Sequence, residues 1–249
     1  MSALEQQQLA ALKQVLDSKF KGQHDAHIQR FTHICELLAE FPELTPGDSS
    51  TAGKRALSAP GTIDYFATLA IKYLDGREAV PRFSIGNTTP DDALRVILET
   101  AESLTRVPAQ KTLELHAYAM AGENAVGTLL ERYVAHVLEA ADSAWIWCPG
   151  QVIRGFDFIR PLNQHPQGYR WHLLQVKNRS NTESSAHGQV RKALSSGKLE
   201  ASKWFRVVAS SGKKKWDEFP VDGLQDRLNE ALFLADVRNW VLRATACGK

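Results

Sequence analysis

Cysteine is scarce: three among 249 residues, Cys35, Cys148 and Cys247, far apart and odd in number. With no CxxC pair and no Cys/His cluster, neither a zinc site nor a disulfide framework is expected. A reducing cytoplasm is the natural setting. No stretch approaches the roughly 18–20 apolar residues that a bilayer crossing needs, so no membrane role is expected. Met1 to Leu16 lack a basic segment followed by an apolar one, and read as an amphipathic helix rather than a secretory signal. A phosphate-binding loop of the form GxxxxGK[ST] is missing, which argues against ATP-driven work within this chain. Internal repeats and low-complexity tracts are also absent.

The rest is ordinary for a chain that buries a core: 43% hydrophobic and 23% charged residues. The length suits one large domain, or a catalytic domain with a smaller appended part. The net charge of +2 is unevenly spread. Gln151 to Phe219 hold 13 Lys/Arg against 5 Asp/Glu, a local excess of +8 that leaves the remainder near −6. Such an excess suits a polyanionic partner.

The first half has helical periodicity. Leu4 to Phe20 and His27 to Phe41 place apolar residues three and four apart. Pro46 to Pro60 is Gly/Pro/Ser-rich and reads as a loop or mobile linker, or as a segment that orders only on binding. Further helices are expected over Thr62 to Leu74 and, from a Thr-Pro-Asp-Asp start, over Thr89 to Leu104. A long helix is expected over Leu113 to Ala141, broken near Gly122, with Val126, Leu129, Leu130, Tyr133, Val134, Val137 and Leu138 as its apolar stripe.

After Ala141 the texture changes to short aromatic and β-branched runs with turn punctuation. Strands are expected over Trp145 to Cys148, Gly155 to Ile159, Tyr169 to Lys177 and Lys203 to Ala209. A short helix is expected over Ala186 to Leu194, and closing helices over Asp222 to Leu234 and Asp236 to Ala244. This order predicts an α/β (α+β) fold, a mixed sheet flanked by helices behind a helical N-terminal half. The domain reading is a helical region at 1–110 and the catalytic core at 111–249.

Strand alternation carries the functional reading. On the strand ending at Lys177, Trp171, Leu173, Gln175 and Lys177 share one face, which sets Gln175 and Lys177 about 6–7 Å apart. If the two preceding runs pair as a hairpin, Asp157 can lie beside them. A hard divalent cation needs oxygen ligands, and Asp157, Gln175 and the Val176 carbonyl are suitable. A lysine nearby can position or deprotonate a water and offset developing negative charge. Glu131, on the helix ahead of the first strand, is the candidate for a further acid, with Glu123 in reserve about two turns earlier. His116, His136, His165, His172 and His187 have no metal-ligand spacing.

Asp157, a strand gap and Gln175-Val176-Lys177 resemble the PD-(D/E)xK nuclease superfamily, with Gly127 to Val134 similar to its leading helix. The departure is Gln175, where an acid is usual; Gln is a known variant there, including in Mrr-like restriction endonucleases. The run Asn178-Arg179-Ser180-Asn181-Thr182-Glu183-Ser184-Ser185, with Lys203-Trp204-Phe205-Arg206 further on, resembles type II restriction endonucleases of the SinI type. The resemblance implies a restriction-endonuclease-like core and Mg²⁺-dependent, sequence-specific cleavage of double-stranded DNA. It also implies a homodimer acting on a short, nearly palindromic site such as GGWCC, and a cognate DNA methyltransferase in the same host. It makes Asp157, Gln175, Lys177 and Glu131 the catalytic set, and Asp157, Gln175, Val176 and Glu131 the metal ligands.

Base edges are read by Arg on guanine and by Asn or Gln on adenine. Asn178, Arg179, Asn181, Ser184, Ser185, His187 and Gln189 are therefore candidates for DNA contact just beyond the catalytic strand. Arg191, Lys192, Lys198, Lys203 and Arg206 are candidates for the phosphate backbone. The run Lys213 to Lys215 suggests electrostatic steering at most. Two other readings fit the same residues: a modification-dependent (Mrr-like) or repair nuclease, and a non-catalytic DNA-binding protein on a decayed nuclease fold.

Overall fold

In the computed structural model, residues 25–46, 63–79, 96–97, 100, 108–180 and 188–246 are described. The expected helix over Leu4 to Phe20, nearly all of the linker and most of the Thr89 to Leu104 helix lie outside these residues; Val96, Ile97 and Thr100 are helical. The chain divides into two compact units, one of Met1–Ala79 with Val134–Glu230, the other of Val80–Tyr133 with Ala231–Lys249. The first unit thus joins the early helices to the sheet, a different partition from the 1–110 and 111–249 division drawn from sequence texture.

In the first unit, α1 (Asp25–Glu40) buries Phe31, Ile34, Leu37 and Leu38 at helical spacing. It ends at Phe41-Pro42, where a proline cannot extend the hydrogen-bond ladder, and a single 3₁₀ turn, Pro42–Leu44, follows. Helix α2 (Ile63–Glu78) contributes Tyr65, Leu69, Ala70, Tyr73 and Leu74. Phe31 meets Tyr73 with ring centroids 5.5 Å apart. Each fully buried Leu or Phe stabilises by about 1.5–3 kcal/mol, so this helical pair is a firm support for one face of the sheet.

The long helix α3 (Ala109–Ala141) crosses from the second unit into the first. It runs through Gly122 without interruption. Its stripe residues Leu129, Leu130, Tyr133, Val134, Val137 and Leu138 are all buried, and burial outweighs the small helix cost of one glycine. The second unit also contains most of the closing helix α5 (Glu230–Ala246), whose Phe233 lies 5.6 Å from Tyr133 between ring centroids. Two closing helices were expected, and one is found. Residues 222–229 turn instead, with Gly223 at φ 76°.

The sheet has four strands in the order β1-β2-β3-β4: Ile146–Trp147, Phe158–Pro161, Trp171–Arg179 and Leu199–Val207. The first two pairings are antiparallel and the last is parallel. A parallel return needs a crossover, and α4 (Gly188–Leu194) lies on it. One face of the sheet carries Ile159, Trp171, Leu173 and Leu199, which join α1, α2 and α4 in the main hydrophobic core. Strand β2 begins at Phe158, later than the expected Gly155, because Gly155 adopts φ 79° and turns the chain. No helix among the described residues is long and apolar enough to cross a membrane.

Candidate active site

Asp157 sits one residue ahead of β2. Its main-chain N–H donates to the Leu174 carbonyl at 3.0 Å, and its own carbonyl accepts the Cys148 N–H at 2.7 Å. It thereby ties β1 to β3 where β2 has not yet started. Its Oδ2 accepts the Val176 N–H at 2.7 Å. The side chain takes over the ladder position that the β2 backbone gives up.

Gln175 and Lys177 are half-buried and Val176 is buried, the alternation expected along β3. Trp171 and Leu173 lie in the core on the face that Gln175 and Lys177 extend. That face is therefore apolar at one end of the strand and polar at the other. Within a strand, the N–H and C=O of one residue point to the same edge. Since the Val176 N–H meets Asp157, the Val176 carbonyl is directed to that edge as well.

Burial pushes the Asp157 carboxyl up, to about 6, against the opposing pull of the Val176 hydrogen bond and the Lys177 charge. The Lys177 ammonium is thus electrostatically coupled to the acid. Upstream, β1 is clamped by a buried ion pair. Arg77 donates to both oxygens of Glu139, at 2.8 and 2.5 Å, and Glu139 Oε1 accepts the Trp147 N–H at 3.0 Å. Burial acts to raise the Glu139 pKa, but the Arg77 hydrogen bond and charge, the Trp147 N–H and Arg30 together hold it below the usual carboxylate range. The residue after Trp147 is Cys148, whose N–H holds Asp157.

The remaining candidates divide. Glu131 and Glu123 lie on the part of α3 that belongs to the other compact unit, half-buried and exposed respectively. Arg179 is exposed at the end of β3, Arg191 and Lys192 are exposed on α4, and Lys192 pairs with Glu43 at 3.1 Å. Lys203 is exposed on β4 directly across from Gln175 in the register. Asn181, Ser184, Ser185 and His187 lie outside the described residues, and of Gln189 only its place in α4 is described.

Asn178 and Arg206 turn toward each other. Asn178 Oδ1 accepts from Arg206 Nε at 3.1 Å and Nη2 at 2.9 Å, while Arg206 Nη1 donates to both Glu230 oxygens at 2.7 and 2.8 Å. Trp216 Nε1 also donates to Glu230, at 2.7 Å. Burial works to raise the Glu230 pKa, but these hydrogen bonds and the nearby Arg206 and Lys214 charges lower it. This network was missed in the sequence because Glu230 is 24 residues from Arg206 and 52 from Asn178. Lys215, in the basic run, has its Nζ 4.8 Å from the Phe205 ring centroid.

One Asp157 oxygen is engaged by Val176, which orients the carboxylate toward the edge that the Val176 carbonyl also faces. A carboxylate, an amide and a carbonyl are all oxygen donors, of the type Mg²⁺ takes while keeping waters or phosphate oxygens in its other positions. The set fits in kind but holds one charge only. Among the described residues no cluster of three His, Cys, Asp or Glu could hold a metal.

A four-stranded mixed sheet with two antiparallel pairings and a parallel return strand, flanked by helices, is consistent with a restriction-endonuclease-like fold. Residues 13–243 match the family described as SinI restriction endonuclease. The type II restriction enzyme Eco47I of Escherichia coli is 32% identical over 241 residues, covering 96% of this chain and 94% of that enzyme. The type II restriction enzyme SinI of Salmonella infantis is 32% identical over 214 residues, covering 86% of each. The chain belongs to the SinI restriction endonuclease family. It is an enzyme, a type II site-specific deoxyribonuclease.

Proposed function

We propose that this enzyme hydrolyses phosphodiester bonds in both strands of duplex DNA, in a Mg²⁺-dependent reaction at a short, nearly palindromic site of the GGWCC kind. The observation that carries the catalytic assignment is the Asp157 carboxylate held at 2.7 Å by the Val176 N–H, between the side chains of a Gln-x-Lys strand. Asp157, Gln175 and the Val176 carbonyl would hold the cation, and Glu131 is retained as the second acid on its order in the chain. When bound, Mg²⁺ lowers the pKa of a coordinated water and takes up charge on the phosphate.

The chain's own residues do the rest. Asp157 is half-buried and fixed through both its main chain and its side chain, so little reorganisation is needed when charge develops. Lys177 orients the attacking water and accepts its proton or balances the charge that forms on the phosphate oxygens. Leu173 and Trp171 wall the site on its apolar side and exclude bulk water, which strengthens these interactions.

Sequence readout is assigned to the segment beyond β3, through Arg179, Asn181, Ser184, Ser185, His187 and Gln189, with Arg191 and Lys192 on phosphates. The active species would be a homodimer, since two-fold symmetry matches a nearly palindromic site. Residues 1–110 would serve in dimerisation or in clamping DNA. A bacterial host would protect its own DNA with a cognate methyltransferase, and the enzyme would act in the cytoplasm.

The test is digestion of unmethylated plasmid DNA with Mg²⁺ and with EDTA. Discrete fragments with Mg²⁺ alone are expected. Failure to cut any DNA, methylated or unmethylated, would refute the assignment. Cutting of methylated DNA only would replace it with a modification-dependent activity.

A further inference from the structure

We propose that Lys203 is a second cation of the catalytic centre, set beside Gln175 to hold the charge of the phosphate being cut; this rests on the nuclease reading above. The parallel β3–β4 register pairs Gln175 with Lys203 and Lys177 with Phe205. Residues paired across neighbouring strands share a face, with the strands about 4.8 Å apart. The apolar end of that face agrees: Trp171 pairs with Leu199, and both belong to the main core. On its other flank, Gln175 has Asp157, whose carboxylate is bound to the next residue's N–H. Gln175 therefore lies between Lys203 on the β4 side and Asp157, which bonds the main chain of Leu174 and Val176, on the β2 side, with Lys177 two residues further along β3.

This placement gives the neutral residue a physical reason. A carboxylate at 175 would face two ammonium groups within about 5–7 Å and would compete for both. A neutral amide does not, so the lysines can act on phosphate oxygens. The immediate set then has one negative and two positive side chains. Before any metal binds, it attracts a phosphodiester, where an acid-rich set would repel one. Further along the same face Lys215 stands against the Phe205 ring, its charge paired with Glu218.

The experiment compares wild type with Lys203→Gln, Lys203→Arg, Gln175→Glu and the double variant Gln175→Glu/Lys203→Gln. Cleavage of plasmid DNA is measured at saturating DNA, and binding of a duplex oligonucleotide is measured in EDTA over a range of salt. Lys203→Gln is expected to lower kcat about 100–1,000-fold, the size seen on loss of one preorganised donor, with Lys203→Arg retaining most of the activity. In EDTA, Lys203→Gln should weaken binding and reduce the slope of log K against log salt by about 1. Gln175→Glu should weaken metal-free binding when Lys203 is present, and the two substitutions should be non-additive.

Unchanged kcat in Lys203→Gln, or a change in KM alone, would overturn the proposal, as would strict additivity with Gln175→Glu. Lys203 is exposed, so the thermal melt of Lys203→Gln should match wild type; a large drop would give the residue a structural role and also overturn the proposal. These failures leave wild-type cleavage standing. If wild type itself cuts nothing, the nuclease reading falls and takes this role with it.

Discussion

The Asp157 carboxylate accepts the main-chain N–H of Val176 at 2.7 Å, with Asp157 just ahead of one strand and Val176 inside the next. A half-buried acid is thereby locked to the strand that carries Gln175 and Lys177. Its cost is visible in the raised carboxyl, at about 6 against an ordinary 3.8.

Asp157→Asn should abolish cleavage and stabilise the protein. An acid whose folded pKa lies above its unfolded value contributes stability that is present below about 3.8 and lost as pH rises through about 6. Above that window the charged form is penalised, and a neutral Asn escapes the penalty. The gain should be about 1–3 kcal/mol at pH 8 and vanish near pH 4. Urea denaturation at the two pH values checks it, and an equal effect at both would show that burial of the charge is not the cause.

Protons and Mg²⁺ should compete for Asp157. The Mg²⁺ concentration giving half-maximal cleavage should rise by up to about tenfold per pH unit below about 6 and level off above it. Initial rates in Mg²⁺ titrations from pH 5 to pH 8 measure this. A half-saturation point independent of pH would remove Asp157 from the ligand set.

Gly155 cannot carry a side chain without cost. It has φ 79°, and a Cβ there would stand 3.3 Å from Val190 Cγ2. Gly155→Ala should destabilise by about 1–2 kcal/mol and lower kcat by displacing Asp157 two residues on. Gly168→Ala is the control, with φ 76° but nothing within 4 Å of the added Cβ. It should lose about 1 kcal/mol and keep its kcat. Thermal melts and cleavage rates of the pair separate strain from misplacement of the acid.

Arg206→Met should lose stability rather than DNA affinity. The Arg206 side chain is 10% exposed and Glu230 is 26% exposed, so removal leaves a largely buried carboxylate and the Asn178 oxygen without this donor. The expected loss is about 2–4 kcal/mol, below the full figure for a completely buried pair because Glu230 is partly solvated. A stable variant with weaker, less salt-dependent DNA binding would instead make Arg206 a phosphate contact.

Much of the candidate site's geometry was legible from side-chain alternation. Gln175 and Lys177 share a face because successive strand residues point opposite ways, whatever the strand pairs with. The hairpin that delivers Asp157 could be expected from the turn-rich Pro161 to Gly168. The aromatic and β-branched runs identified the strands, although Gly155 shifted the start of β2 and burial carried α3 through Gly122. Arg206 and Asn178 show the limit. Both looked like DNA-facing groups by residue type, and neither sequence position hints that Glu230 and Trp216 wait for them.

What the sequence determined by itself, then, is local: periodicity, turn chemistry, and the spacing that puts Gln175 and Lys177 on one strand face. Tertiary structure alone decided which side chains meet. Register is set by the whole sheet's need to bury one face, and that register put Lys203 beside Gln175, bound Asp157 to the Val176 amide and turned Arg206 inward to Glu230. Such pairings join residues up to dozens of positions apart, and no local spacing encodes them.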